Sequence, residues 1–314
     1  MRIVFFGSPA EAAESLESLI AEGHDIAAVY SQPDRKSGRG RKKTATPVKS
    51  FAMQSHLPVV TPKDLRNNVE EIERLTDLKA DAFVVVAYGR ILPAEILQVP
   101  QMGVVNIHPS LLPKYRGPSP VVTAILEGDN TVGVTIMLLD EGMDTGPILA
   151  QSTPMQLSGT EKGAELQDAL FKEGASMLPD VLKGLQEGTL AAEPQDDTKA
   201  SVTRLIDRSD GEIDWASPAE RIDRMIRAYD PWPGTFTSWN GKGLKVLDAQ
   251  ISSASAFGAA VGAGVVVIDE GRVNVGTGSA SIELKKVQLE GRQAIAAADF
   301  LMGQSDFDGA TLGT

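Results

Sequence analysis

Residues 103–117 read GVVNIHPSLLPKYRG. An apolar run through Val104 and Val105 feeds an amide at Asn106 and an imidazole at His108. The chain then turns through Ser110, Pro113, Lys114 and Arg116 to Gly117. A short β-branched run closed by proline and glycine is the signature of a strand buried on both faces. Residues 81–89, DAFVVVAYG, repeat that signature immediately upstream. Two such runs joined by a segment of helical character predict neighbouring parallel strands.

The pattern extends in both directions. Strands are predicted at Arg2–Phe6 and at 25–32 (DIAAVYSQ), 57–62 (LPVVTP), 131–140 (TVGVTIMLLD) and 147–154 (PILAQSTP). Between them, SPAEAAESLESLIAEG (8–23) reads as a helix capped by Ser8 with Pro9 in its first turn. Further helices are predicted near Pro47–Gln54 and over Gly159–Glu187. Alternating strands and helices give an α/β class with a doubly wound, mostly parallel sheet over residues 1–188. Residues 189–206 are polar and weakly periodic and read as a linker. Residues 207–314 open with a helix capped by Ser217 and continue as short runs, TFTSW, LKVLDAQI, GAGVVVID, RVNVGT and SIELKKVQL, split by glycine and Asn-Gly turns. They predict a small, mostly-β, barrel-like domain. Trp232 in DPWPG is assigned to core or domain packing.

Composition narrows the function. The chain has no cysteine, which excludes disulfides and thiolate metal sites. No apolar run approaches the roughly 20 residues of a membrane span, and MRIVFFG reads as a first strand rather than a secretory signal. A cytoplasmic protein is expected. A net charge of −12 argues against a general nucleic-acid binder. Against that background Arg35, Lys36, Arg39, Arg41, Lys42, Lys43 and Lys49 form a basic island without an acid among them. Such an island fits either a local anion footprint or a solvated loop.

The opening strand lacks G-x-G-x-x-G and no phosphate-cradling P-loop occurs, so a dinucleotide or nucleoside triphosphate site is not supported. Ligands of open parallel sheets sit beyond the carboxyl ends of the strands. AYGRILP (87–93), NIHPSLLPKYRG (106–117) and DEGMDTG (140–146) are expected there. Asn106 and His108 are two apart and so share one face of a strand. An amide and an imidazole side by side can steady a developing oxyanion and manage a proton. Asp144 can orient the imidazole or balance its charge. Each of the three alone also fits a structural role. The three histidines show no ligand spacing, so no catalytic metal is expected.

NIHPSLLPKYRG together with GVTIMLLDEGMDTGPIL (133–149) resembles the formyltransferases that use 10-formyltetrahydrofolate. FFGSPAEAAESLESL, the basic segment SQPDRKSGRGRKKTATPVKSFA (31–52), VVVAYGRILP and GEIDWASPAERIDRMIRAYDPWPGTFTSW (211–239) resemble the methionyl-tRNA formyltransferase family in particular. The resemblance covers nearly the whole chain and is weakest over Ser252–Ala263 and the last dozen residues. It departs at Glu11, where the family commonly has an aromatic, and at Pro109. It implies a formyltransferase-like Rossmann variant followed by a tRNA-binding β domain. It implies Asn106, His108 and Asp144 as the catalytic trio. The implied folate contacts are Ala87, Tyr88, Gly89, Ile91, Leu92, Ser110, Leu111, Leu112 and Pro113, with 10-formyltetrahydrofolate as co-substrate and no metal. Arg35, Lys36, Arg39, Arg41, Lys42 and Lys43 would meet initiator methionyl-tRNA, with Lys242, Lys245, Lys285, Lys286 and Arg292 as a weaker second footprint. A monomer away from membranes is expected. Two other readings stand beside this one: an enzyme formylating an amino-sugar nucleotide, and an RNA-binding module on an inactive scaffold.

Overall fold

The computed structural model describes residues 1–37, 42–252, 261–304 and 306–313. They form two compact units: residues 1–120, 131–155 and 167–203, and residues 121–130, 156–166 and 204–314.

In the first unit the apolar runs pair as a seven-stranded sheet. Its order is Ile148–Gln151, Thr135–Leu138, Val104–His108, Ala82–Val86, Arg2–Gly7, Asp25–Tyr30 and Val59–Val60. The five strands from Val104–His108 to Val59–Val60 are parallel. The continuous Val/Ile/Phe runs follow from that, since each central strand is covered on both faces. Phe6 is the centre of the packing on one face. Its ring stacks on Tyr30 at 4.7 Å, lies 5.5 Å from Phe83 and meets Tyr88 edge-on at 5.4 Å. On the other face Gly174, in the helix Gly163–Glu187, lets that helix close on the sheet. A Cβ there would lie 2.4 Å from Ile107 Cγ2.

Thr135–Leu138 runs antiparallel to both its neighbours, so Ile148–Gln151 runs in the direction of the other five. His108 lies opposite Thr135 and Val105 opposite Leu138. The carboxyl end of Thr135–Leu138 is therefore at the far end of the sheet from His108. The expectation that DEGMDTG extends a parallel strand's carboxyl end is corrected, because an apolar run does not encode strand direction. Residues 139–147 fold back instead, and Ile148 re-enters the sheet opposite Met137.

Two expected caps are also corrected. The helix Ala10–Ala21 follows Pro9 without a side-chain cap. The fixed φ of proline starts the turn, and Ser8 is free for other partners. Its Oγ donates to Tyr88 O at 3.2 Å and accepts from Gln32 N at 3.3 Å. The helix Ala219–Ala228 likewise follows Pro218, while Ser217 Oγ donates to Asp214 Oδ2 at 3.1 Å. At Pro47–Gln54 the helix is capped, with Thr46 Oγ1 accepting from Lys49 N at 3.1 Å.

The basic segment, read as a loop, pairs Arg35–Ser37 with Lys42–Thr44 as an antiparallel ribbon. Residues 189–203, read as linker, lie in the first unit. Glu193 bridges Ile148, and Val202 bridges Arg116.

The second unit holds an antiparallel sheet in the order Thr235–Trp239, Lys242–Ile251, Ser281–Leu289, Arg272–Gly276, Val266–Asp269, with Ile295–Ala296 on the free side of Ser281–Leu289. Burial alternates along TFTSW, as a sheet with one covered face requires. Trp239, Phe300 and Phe307 meet edge-to-face, at centroid distances of 5.6, 5.0 and 5.0 Å. Trp232, expected in packing, is 59% exposed. It sits between Pro231 and Pro233 in a turn, whereas Trp239 lies on the inward face of a strand.

Phe6→Ala removes the ring on which three others pack and is expected to cost about 3–5 kcal/mol. The midpoint of urea unfolding measures this. A loss below about 1 kcal/mol would contradict the packing described.

Candidate active site

The strand Val104–His108 is buried throughout, yet Asn106 and His108 turn toward a cavity. Asn106 is 8% exposed and lies between Val85 on one neighbouring strand and Met137 on the other. Its amide makes no hydrogen bond to any described residue. Facing the cavity, the amide is available to a ligand. His108 is 4% exposed. Its Nε2 lies 2.9 Å from Tyr115 O. A carbonyl oxygen can only accept, so Nε2 carries the hydrogen. The other ring nitrogen, Nδ1, faces Asp144 Oδ2 at 3.6 Å.

Both flanking residues stand in the left-handed region, Tyr115 at φ 62° and Asp144 at φ 54°. Such positions cost about 1–3 kcal/mol and persist where neighbours impose them. The Asp144 carboxylate is fixed by Gly117 N, which donates to Oδ2 at 2.7 Å. Gly117 has φ 104°, and a Cβ there would lie 2.8 Å from Thr203 O. The loop itself is drawn in by Asp140. Its Oδ1 accepts from Gly142 N at 3.0 Å and from Thr145 Oγ1 at 2.6 Å.

The cavity occupies about 640 Å³, within the range of sites for small organic ligands. Val85, Leu92, Leu97 and Leu139 supply apolar wall, and Ala87, Tyr88, Gly89 and Ile91 lie along it. Ala87 and Gly89 are left-handed, with φ 45° and 75°. They turn the chain from the strand Ala82–Val86 across the cavity edge. Gln32 Nε2 holds that turn by donating to Tyr88 O at 2.9 Å and Gly89 O at 3.0 Å. Arg90 Nη1 anchors its far side on Pro62 O at 3.1 Å and Lys63 O at 2.5 Å.

The chain matches the formyl transferase family over residues 1–182 and that family's C-terminal domain over residues 205–305. It belongs to the formyl transferase family. It is 45% identical over 306 residues to the methionyl-tRNA formyltransferase of Chloroflexus aurantiacus, covering 96% of this chain and 97% of the relative. It is 46% identical to that of Roseiflexus sp., covering 100% and 95%. The crystal structure of WlaRD, a sugar 3N-formyl transferase in the presence of dTDP and 5-N-formyl-THF, superposes with a TM-score of 0.66 at 20% identity, covering 93% of this chain and 99% of WlaRD. That likeness shows the fold.

Within this formyl transferase Tyr88 lines the cavity while its ring lies in the core beside Phe6, and its hydroxyl is buried with no hydrogen-bond partner among the described residues. Burial pushes that phenol up to about 12. Ser110, Leu111, Leu112 and Pro113 do not line the cavity. They form a turn tied to the antiparallel strands. Ser110 Oγ donates to Lys114 O at 2.7 Å, and Thr135 Oγ1 donates to Ser110 O at 2.7 Å. Leu112 N donates to Thr135 Oγ1 at 3.0 Å, and Gln151 Nε2 donates to Leu112 O at 2.8 Å.

Sequence reasoning missed Gln167 and Phe171, which reach the cavity from the helix Gly163–Glu187. Gln167 Nε2 donates to Glu11 Oε1 at 3.0 Å, so the unusual Glu11 holds a cavity amide. It also missed Met143, 52% exposed at the cavity. No local pattern announces Gln167 and Phe171, which arrive from a distant helix, whereas Met143 lies beside Asp144 in a segment already expected at the site.

In the basic ribbon, Arg35 and Lys43 are exposed, and Arg35 Nη2 donates to Gln32 Oε1. For Lys36 and Lys42 the backbone pairing alone is described. Arg39 and Arg41 lie outside the described residues. In the second unit Lys242, Lys245, Lys286 and Arg292 are exposed, while Lys285 pairs with Glu283 at 2.5 Å. Among the described residues no group of three His, Cys, Asp or Glu is placed to hold a metal, and no helix is long and apolar enough to cross a membrane.

Tyr88→Phe removes an unpartnered buried hydroxyl. It is expected to leave the Michaelis constant for the formyl donor unchanged and to hold or raise stability by about 1 kcal/mol. Donor titration and urea unfolding test this, and a raised donor constant would return the hydroxyl to the ligand site.

Proposed function

We propose that this chain transfers the formyl group of 10-formyltetrahydrofolate to the α-amine of methionyl-initiator tRNA, with Asn106, His108 and Asp144 as the catalytic residues. The observation that carries the reading is the locked imidazole. With Nε2 committed to Tyr115, the other nitrogen of His108 faces a carboxylate, and the Asn106 amide on the same strand face bonds to no described residue.

The chemistry follows from those positions. As the amine adds to the formyl carbon, the carbonyl oxygen gains negative charge. The Asn106 amide is placed to donate to that oxygen. The attacking nitrogen must lose a proton. His108 Nδ1 accepts it, and the Asp144 carboxylate then faces an imidazolium. Breaking the bond to the folate nitrogen requires a proton there, and His108 can return it. The oxygen is thus left to Asn106, while the ring handles the proton.

The cavity fits the donor. Its apolar wall at Leu92, Leu97 and Ile91 suits a flat heterocycle, and the Ala87–Gly89 turn adds backbone polar groups at the rim. When bound, 10-formyltetrahydrofolate supplies the activated formyl group. Ile91 is 62% exposed, an apolar surface available to the donor's aromatic stem.

The acceptor reading rests on the relatives of about 45% identity and on the basic ribbon. Arg35, Lys36, Arg39, Arg41, Lys42 and Lys43 would neutralise phosphates of an acceptor stem. An otherwise acidic chain limits non-specific RNA binding. We place catalysis in residues 1–188, with 189–206 following it, and further tRNA contact in 207–314. The enzyme is taken to act as a monomer in the cytoplasm, where charged tRNA and reduced folate meet.

Purified protein mixed with 10-formyltetrahydrofolate and methionine-charged initiator tRNA is expected to yield formylmethionyl-tRNA. Asn106→Ala is expected to slow the transfer by about a hundred- to a thousandfold. No transfer to tRNA, with transfer to an amino-sugar nucleotide, would overturn the acceptor. Replacing Arg39, Arg41 and Lys42 together with alanine is expected to weaken use of tRNA and flatten its salt dependence while donor affinity holds. Unchanged tRNA kinetics at physiological salt would remove the ribbon from the interface.

A further inference from the structure

Residues 195–203 touch both left-handed residues that flank His108. Gln195 Nε2 donates to Asp144 O at 2.8 Å and to Gly146 O at 2.7 Å. Its Oε1 accepts from Arg116 Nε at 3.0 Å. One amide therefore joins the Asp144 loop to the loop that follows His108. On the other side, Ser201 Oγ accepts from Tyr115 N at 2.9 Å. Arg116 N donates to Ser201 O at 2.8 Å, and Thr203 N donates to Arg116 O at 2.7 Å. The Arg116 guanidinium is buried and closes the clamp by donating to Asp197 Oδ1 at 2.7 Å.

We propose that Gln195 and Ser201 are positioning residues for formyl transfer, acting through Asp144 and Tyr115 to fix the two groups that hold His108. The inference rests on the catalytic reading of Asp144 and His108 above.

The physical argument is that neither flanking residue is in a relaxed backbone state. Asp144 at φ 54° and Tyr115 at φ 62° keep those angles when surrounding contacts over-determine them. Gly117 N fixes the Asp144 carboxylate. Its carbonyl is fixed by Gln195, so both ends of the residue are held. If Gln195 lets go, Oδ2 can leave the 3.6 Å position opposite His108 Nδ1. If Ser201 lets go of Tyr115 N, the adjacent carbonyl that fixes Nε2–H can rotate away. A misplacement of about 1 Å in a catalytic group can cost about a hundredfold in rate. Neither Gln195 nor Ser201 lines the cavity, so substrate binding is not expected to follow the loss.

The test uses the full chain with Gln195→Glu, Gln195→Met, Ser201→Ala and Ser201→Thr. Gln195→Glu keeps the acceptor for Arg116 and removes both donors. Gln195→Met keeps the size and removes both functions, which covers the case in which one variant fails to fold. The turnover number of Gln195→Glu and Gln195→Met is expected to fall about a hundredfold per folded molecule. The Michaelis constants for donor and tRNA should hold. Ser201→Ala should lower turnover and Ser201→Thr restore it.

Each Gln195 variant is also made with Asp144→Asn. If Gln195 acts through Asp144, its substitution adds little in that background. Full additivity, or wild-type turnover in the Gln195 variants while Asp144→Asn is impaired, would overturn the inference and leave the catalytic reading standing. Wild-type turnover in Asp144→Asn would instead remove the reading on which the inference rests.

Discussion

The site depends on one imidazole held from two sides. A carbonyl takes the hydrogen of His108 Nε2, and a carboxylate stands opposite Nδ1. A carbonyl has no proton to give, so the contact selects a tautomer as well as an orientation. In the neutral ring the lone pair is then on Nδ1, on the same strand face as the Asn106 amide, which makes no hydrogen bond to any described residue. Much of the surrounding backbone can be read as the means of keeping that arrangement. Two non-glycine residues sit in left-handed conformations, Gly117 closes against Thr203 where a side chain has no room, and residues 195–203 are laid along both loops.

The sheet explains why the arrangement needs so much bracing. Asn106 and His108 stand on a central strand, and a central strand is rigid. The other members come from loops. Asp144 follows an antiparallel strand whose end points away from His108, so its loop must double back. A loop that doubles back is not positioned by the sheet ladder. Its place is set by specific hydrogen bonds, to Asp140 within the loop and to Gly117 and Gln195 outside it. The Ala87–Gly89 turn is braced in a similar way by Gln32. Gln32 also accepts from Arg35 at the root of the basic ribbon, so that edge of the cavity and the proposed RNA-binding segment share a side chain.

The strand layer could be read from the sequence because buried parallel strands leave continuous apolar runs, and Asn106 and His108 could be paired because strand periodicity is strict. Direction was not legible. TVGVTIMLLD looks the same whichever way it runs, so the route of the Asp144 loop was misplaced. Serine caps were misassigned because proline starts a helix without one. The resemblance implies Ser110–Pro113 as a ligand loop, yet their polar atoms are taken up by Thr135 and Gln151, residues that no local pattern links to them. Gln167, held by Glu11, and Gln195, held across the Arg116 loop, are polar residues in unremarkable contexts. Their roles exist only once distant segments meet.

The central claim is that His108 carries the proton of formyl transfer and does not bind the donor. Single-turnover transfer to methionyl-tRNA by His108→Ala, with donor affinity measured on the same preparation, tests it most directly. The account predicts that donor affinity survives and the transfer step falls by at least about a hundredfold. Transfer at the wild-type rate would contradict it, and so would a loss explained entirely by weaker donor binding.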